Sequence, residues 1–260
     1  MIFGVSTACL YPLETEMSLD ILVGEGVKDV EIFFNSQREI SADFVKNLRK
    51  TAGENGVRVH SIHPFSSGQE PFFLFSDYYR RFEDTLELYR RYAEAACELG
   101  AGYVVIHGDR LVKFKISDRE YFERFDKLME IGAQSGVMFA QENVANFRSS
   151  QPGFIAAMKK ALPEAPFVFD IKQAVRSGVD PLDMLGVMGD NVRHIHISDH
   201  REGFDCTLPG EGGFDFAGMF NRLRATGYGG AIILEVYRGS FEKASELMRS
   251  VSTLKAQYDV

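Results

Sequence analysis

Six residues of the types that hold divalent cations stand at the ends of separate apolar runs: His63, His107, Glu142, Asp170, His196 and Glu235. Carboxylates and imidazoles without thiolate company suit Mn²⁺, Mg²⁺, Zn²⁺ or Co²⁺. The densest stretch is His194-Ile195-His196-Ile197-Ser198-Asp199-His200, which alternates like a strand and then enters a polar loop carrying Asp205, Gly210, Glu211 and Gly212. Successive strand side chains point to opposite faces, so His194, His196 and Ser198 share one surface while Ile195 and Ile197 pack on the other. Two imidazoles and a carboxylate at a strand end suggest a site. Singly, each residue has a plainer reading, because a strand-terminal Asp caps the next helix and a buried imidazole is satisfied by hydrogen bonding.

The elements that must position these residues follow from hydrophobic period. Strands are expected at Ile2 to Ser6, Lys28 to Phe34, Val57 to His63, Ala101 to His107, Val137 to Glu142, Phe167 to Asp170, Val192 to Ser198 and Ala231 to Tyr237. Helical spacing covers Met17 to Leu22, residues 41 to 55, Tyr78 to Leu99, 118 to 133, 152 to 162, pieces on either side of Pro181, 214 to 226 and 241 to 256. Eight strand-then-helix units without a compositional break predict an α/β fold, a single (β/α)8 TIM barrel spanning residues 1–260. An open doubly wound sheet is the main competitor, and no glycine-rich phosphate loop follows the first strand to support it. A barrel demands functional side chains at the C-terminal strand ends, and six of the eight strands end in one of the ligand-type residues above. Their neighbours Ile62, Ile106, Phe169, Ile195 and Leu234 would face the helices, with Gln141 the exception. Between Pro64 and about Asp77 lies a long loop with Phe65, Phe72, Phe73 and Phe75, readable either as a lid or as packing for the loop itself.

Glu142, Asp170 and Glu235 would then crowd one partly desolvated mouth, where like charges need compensation. No strand end supplies a lysine or arginine for them, so a divalent cation is the expected partner.

The 260 residues carry a net charge of −8, with 45% hydrophobic and 25% charged residues, an ordinary composition for a soluble globular protein. The acidic balance disfavours nucleic acid. Cys9, Cys97 and Cys206 are odd in number, widely spaced and form no CxxC pair, which fits a reducing interior. No basic segment precedes an apolar run at the N-terminus and no apolar stretch reaches membrane length, so a cytoplasmic location without a membrane partner is expected.

The segments His63-Pro, Val-Ile-His107-Gly, Gln-Glu142-Asn, Phe-Asp170, His196-Ile-Ser-Asp199, Leu208-Pro-Gly-Glu-Gly212 and Leu-Glu235-Val, in this order along essentially the whole chain, resemble the xylose-isomerase-like TIM-barrel superfamily. That group includes ketose 3-epimerases, hydroxypyruvate isomerases, inosose dehydratases and endonuclease IV. The resemblance implies one divalent metal ion on Glu142, Asp170, His196 and Glu235. The endonuclease branch adds two histidines, matched by His63 and His107. It also needs a His three residues after the sixth-strand Asp and an Asp-x-His before the Pro-Gly-Glu-Gly loop. Here those positions read Gln173 and Asp205-Cys206-Thr207, a poor third zinc site because amide and hydroxyl oxygens bind Zn²⁺ weakly. Ketose epimerases usually carry a substrate-binding His where Gln173 stands, a second departure.

The expectation that follows is a metal-dependent sugar isomerase or epimerase. Its metal would chelate two adjacent oxygens of an α-hydroxycarbonyl and stabilise the enediolate formed on proton loss, with Glu142 and Glu235 as base and acid. Substrate contacts are expected from His63, His107, Gln173, His200 and Arg201, with Arg201 either meeting an anionic group or remaining a solvated loop charge. The partner is a small sugar or sugar phosphate, and a helix-covered barrel is compatible with homo-oligomers. Three alternatives stand beside this one: a di-metal phosphoester hydrolase with a second metal at His63 and His107, an inosose-dehydratase-like lyase, and a non-catalytic sugar binder.

Overall fold

The computed structural model describes residues 1–112 and 116–259. Eight parallel strands close into a barrel: β1 (Ile2–Ser6), β2 (Asp29–Phe33), β3 (Arg58–His63), β4 (Tyr103–Ile106), β5 (Met138–Glu142), β6 (Phe167–Asp170), β7 (Val192–Ile197) and β10 (Ala231–Leu234). β10 lies between β7 and β1, which completes the ring. The helices α1 (Thr15–Gly24), α2 (Ala42–Glu54), α3 (Tyr79–Leu99), α4 (Asp118–Ser135), α5 (Pro152–Ala161), α6 (Ile171–Arg176), α7 (Pro181–Met188), α8 (Phe216–Ala225) and α9 (Ala244–Asp259) alternate with them. Pro181 opens α7, where its fixed φ costs nothing and its missing N–H would be unpaired in any case.

Strand alternation separates two cores. Ile32, Ile62, Val104, Ile106, Phe139, Phe169, Ile195 and Leu234 point outward into the layer beneath the helices. Val105, Ala140 and Val168 form a small apolar plug of their own. The next residue of the same parity on each of these three strands is His107, Glu142 or Asp170, so the plug underlies the polar end. Gln141 breaks the outward apolar pattern for a specific reason. Its Oε1 accepts from the Tyr121 hydroxyl at 2.5 Å, and its Nε2 donates to the carbonyls of Ile106, His107 and Glu142, lacing the ends of β4 and β5 together.

Two segments differ from the sequence expectation. The polar loop after β7 contains an antiparallel hairpin, β8 (Asp199–Arg201) and β9 (Phe204–Thr207), whose strands are too short to leave a periodic signature. The phenylalanine-rich loop contains a 3-10 turn at Ser67–Phe72 and divides its aromatics. Phe75 is buried and stacked on Tyr121 at 4.1 Å, Phe72 and Phe73 are exposed, and Phe65 lines the cavity described below. Among the described residues no helix is long and apolar enough to cross a membrane. Cys9, Cys97 and Cys206 are free thiols.

Candidate metal centre and substrate cavity

The centre is built around His196, the fifth residue of β7, whose ring is fully buried. Its Nε2 lies 2.9 Å from Glu31 Oε2, while Nδ1, on the other side of the ring, faces Glu142 Oε1 at 3.1 Å and both Asp170 Oδ2 and Glu235 Oε2 at 3.6 Å. Each of Glu142, Asp170, His196 and Glu235 offers one donor atom, and all four atoms lie within 4.8 Å of one another. Register explains the convergence. Asp170 pairs with His196 across β6 and β7, and Ile233, two residues before Glu235, pairs with His196 on the other side.

Asn143, directly after Glu142, fixes two of these carboxylates together. Its Nδ2 donates to the Asp170 carbonyl at 2.9 Å and its Oδ1 accepts from the Asp170 amide at 2.8 Å, so the ends of β5 and β6 are clamped. Asp170 serves two purposes at once. Its Oδ1 caps α6 by accepting from the Gln173 amide at 2.7 Å, and its Oδ2 is buried with no hydrogen-bond partner. Glu142 Oε2 is likewise buried and unsatisfied, with His107 Nε2 at 3.1 Å but out of hydrogen-bonding alignment. Buried carboxylate oxygens without partners are costly. A divalent cation would satisfy both, and the donor set of three carboxylates and one imidazole fits it.

His63 and His107 stand beside this group, their Nε2 atoms 3.0 Å apart and 3.8 and 3.1 Å from Glu142 Oε2. With Glu142 they form a second set of ligand-type atoms. Above both sets opens a cavity of about 470 Å³. Its polar wall includes Asn35, His63, His107, Lys172 and Gln173, and its apolar wall includes Tyr11, Phe33, Phe65 and Tyr237. Gln173 Oε1 accepts from the Ala145 amide at 3.0 Å, which commits the acceptor and leaves the side-chain NH₂ as a donor. His200 and Arg201 do not line this cavity. They sit on the hairpin, where His200 packs near Phe214 and the exposed Arg201 guanidinium lies 4.8 Å above the Phe204 ring. Asp205 pairs with Arg176 at 3.2 Å, and no described ligand cluster includes Asp205, Cys206 or Thr207.

Two contributors, Glu31 and Lys172, go beyond the strand ends. Glu31 stands mid-strand on β2, fully buried, and its Oε2 accepts from Ser61 Oγ at 2.7 Å besides facing His194 and His196. A charged residue at inward parity within Asp-Val-Glu-Ile-Phe was the available signal. His194 belongs to this knot, its Nε2 facing Ser61 and Glu31, and with Glu31 and His196 it forms a third set of ligand-type atoms apart from the Glu142, Asp170, His196 and Glu235 group. Asp199 is also not a ligand, since its two oxygens accept from the amides of His200, Gly210, Gly212 and Phe214 and so shape the following loop. Lys172 corrects the expectation that the carboxylates lack a cationic neighbour. It lies two residues past the end of β6, in the first turn of α6, and its Nζ is 2.6 Å from Glu235 Oε2 and 3.5 Å from Asp170 Oδ2.

These neighbours set the protonation states. Burial pushes the Asp170 carboxyl up, and the Lys172 ammonium only partly offsets it. Burial would also raise Glu142 and Glu235, but three imidazoles around the first, and Lys172 and His196 beside the second, hold both below the usual carboxylate range. Burial works against the charged form of His196, yet the surrounding carboxylates hold the imidazole well above its ordinary value.

The sequence matches the family model described as "Xylose isomerase-like TIM barrel" over residues 19–257. The chain belongs to that family. Among its relatives is an uncharacterized protein of Mycobacterium tuberculosis, 28% identical over 94% of this chain and 91% of that protein. An inosose dehydratase of Geobacillus kaustophilus is 26% identical over 62% of this chain and 64% of that enzyme. Among solved structures, a D-tagatose 3-epimerase-like protein superposes with a TM-score of 0.83 at 23% identity, covering 100% of this chain and 97% of that one. That likeness speaks for the closed barrel and its strand order.

Proposed function

We propose that this family member is a divalent-metal-dependent isomerase or epimerase of a sugar or sugar derivative carrying an α-hydroxycarbonyl group. The observation that carries the reading is the meeting of Glu142, Asp170, His196 and Glu235 beneath one cavity, with buried oxygens of Glu142 and Asp170 left unsatisfied. A divalent ion held by these four residues would supply Lewis acidity to two adjacent substrate oxygens. The rest of the chemistry belongs to the chain. Glu142 and Glu235 come from strands on either side of β6 and β7 and are both held ionised by their neighbours, so either is available as a base. One takes the proton from the carbon that bears the hydroxyl; the other returns it, to the opposite face of that carbon in epimerisation, or to the former carbonyl carbon in isomerisation, where the hydroxyl proton passes to the former carbonyl oxygen. Gln173 offers donors to substrate hydroxyls, His63 and His107 offer imidazole nitrogens, and the aromatic wall offers an apolar face to the carbon skeleton. His200 and Arg201 would meet only a substrate long enough to reach the hairpin.

The test is incubation of the metal-loaded enzyme with a panel of ketoses and inososes in deuterated water. A product that is a stereoisomer or positional isomer of its substrate, with solvent deuterium at one carbon, is expected. Replacement of Glu142 or Glu235 by Gln should reduce turnover by at least about a thousandfold while the fold persists. Full activity in both variants would sink the proton relay.

Two other outcomes have specific support. The similarity to an inosose dehydratase favours elimination of water on the same scaffold, which the panel would reveal as a dehydrated product. The His63, His107 and Glu142 group favours a second metal and phosphoester hydrolysis, which would appear as phosphate release. Against the latter, Lys172 is the one lysine or arginine lining the cavity among the described residues, and it is already paired with carboxylates.

A further inference from the structure

Lys172 occupies an unusual place for an ammonium group. The residue is 4% exposed, yet its Nζ reaches Glu235 Oε2 at 2.6 Å and Asp170 Oδ2 at 3.5 Å, and stands 5.2 Å from the centre of the Tyr237 ring. Those two oxygens are the same atoms that face His196 Nδ1 at 3.6 Å. The ammonium and a divalent ion would therefore draw on shared oxygens. Placement is enforced by the backbone, because Asp170 caps α6 and so aims the first turn, Lys172 included, back at the carboxylates. A compact ammonium can sit between two carboxylates where a planar guanidinium would demand a paired approach.

Three desolvated carboxylates exceed what the His196 imidazole, shared with Glu31, can compensate, and uncompensated buried charge is strongly destabilising. We propose that Lys172 is a resident counter-ion of the metal centre: it keeps the Glu142, Asp170 and Glu235 set charge-compensated when no divalent ion is bound, and thereby lowers the affinity of the set for that ion. This rests on the reading that Glu142, Asp170, His196 and Glu235 hold a divalent cation. A centre of this kind releases its metal readily and folds independently of it, unlike a structural site whose ligands are ordered only by the ion.

The experiment compares Mn²⁺ binding to the metal-free wild type and Lys172→Met by titration calorimetry, with melting temperatures measured with and without Mn²⁺. Lys172→Met keeps the length of the side chain and removes the charge. Its Mn²⁺ dissociation constant should fall by about tenfold or more, as removal of a close like charge implies. Its metal-free melting temperature should drop, and saturating Mn²⁺ should raise that temperature by more than in the wild type. A purely structural lysine would lower the melting temperature without tightening Mn²⁺ binding, so a dissociation constant that is unchanged or larger in folded Lys172→Met overturns the inference. Should the variant fold only when purified in Mn²⁺, release of the ion to a chelator is timed instead; release slower than from wild type supports the proposal, and equal or faster release overturns it. Wild type that binds Mn²⁺, and loses it in Glu142→Ala, leaves the functional reading standing whatever Lys172→Met does. Wild type that binds none of Mn²⁺, Zn²⁺, Co²⁺ and Mg²⁺ overturns both.

Discussion

Glu31 Oε2 and His196 Nε2 lie 2.9 Å apart in the middle of the barrel, with both side chains fully shielded from solvent. The carboxylate is itself anchored, Oε2 accepting from Ser61 Oγ at 2.7 Å and Oε1 from Ser6 Oγ at 3.1 Å. Glu31 therefore fixes the orientation of the ring and reserves Nε2 for itself, directing Nδ1 at Glu142, Asp170 and Glu235. Partners of this kind raise the basicity of an imidazole ligand and set its tautomer. Glu31→Ala should weaken Mn²⁺ or Zn²⁺ binding by about 10- to 100-fold, measured by competition with a chromophoric chelator. Glu31→Gln, which keeps an acceptor, should fall between the wild type and Glu31→Ala. Equal affinity in all three proteins would show that ring orientation is fixed by packing alone.

Elemental analysis separates the two ligand groups that share Glu142. One ion per chain is expected, retained in His63→Ala and His107→Ala and lost in Glu142→Ala. Two ions in the wild type with one lost in His63→Ala would move the phosphoester reading to the front.

Asp199 tests the loop that follows β7. Its carboxylate oxygens collect four backbone amides, from His200, Gly210, Gly212 and Phe214, at 2.8 to 3.0 Å. Gly212 is required at this approach, since a Cβ there would strike the Asp199 carboxylate and the His200 carbonyl. Asp199→Ala leaves those donors unpaired and should cost about 2–4 kcal/mol, read from urea unfolding. Mn²⁺ affinity should stay within about threefold of wild type, because Asp199 bonds to backbone amides of its own loop and to none of Glu142, Asp170, His196 and Glu235. A large loss of affinity would show that the loop supports the centre.

Glu70, from the 3-10 turn of the phenylalanine-rich loop, is buried against the barrel. It accepts from the Tyr89 hydroxyl at 2.7 Å and from the Gly108 amide. Burial pushes its carboxyl up to about 7. A carboxyl raised on folding contributes stability that is fully present below its unfolded value, near 4.5, and is lost as pH rises through about 7. The stability of the wild type relative to Glu70→Gln should therefore decline by about 1.4 kcal/mol per pH unit across that window and level off above it. Unfolding curves at pH 5, 6, 7 and 8 measure the difference, and a flat profile would show that the carboxylate is stabilised by its donors.

The sequence by itself determined the barrel and the polar residues that meet at its mouth, because both are written in short-range regularities. Strand alternation separates Ile195 from His196 and Leu234 from Glu235 without reference to any distant residue, and a barrel collects its C-terminal strand ends at one mouth. Tertiary structure alone decided how those residues are supported. Whether Glu31 or a helix stands behind His196 depends on closure of the barrel, which joins β2 to β7 through β1 and β10 and links positions 165 residues apart. The direction of Lys172 depends on the cap that starts α6, and the fates of His200, Arg201 and Asp199 depend on a hairpin too short to carry a period. Local pattern assigns a residue to a face; only the closed barrel determines which charge lies opposite it.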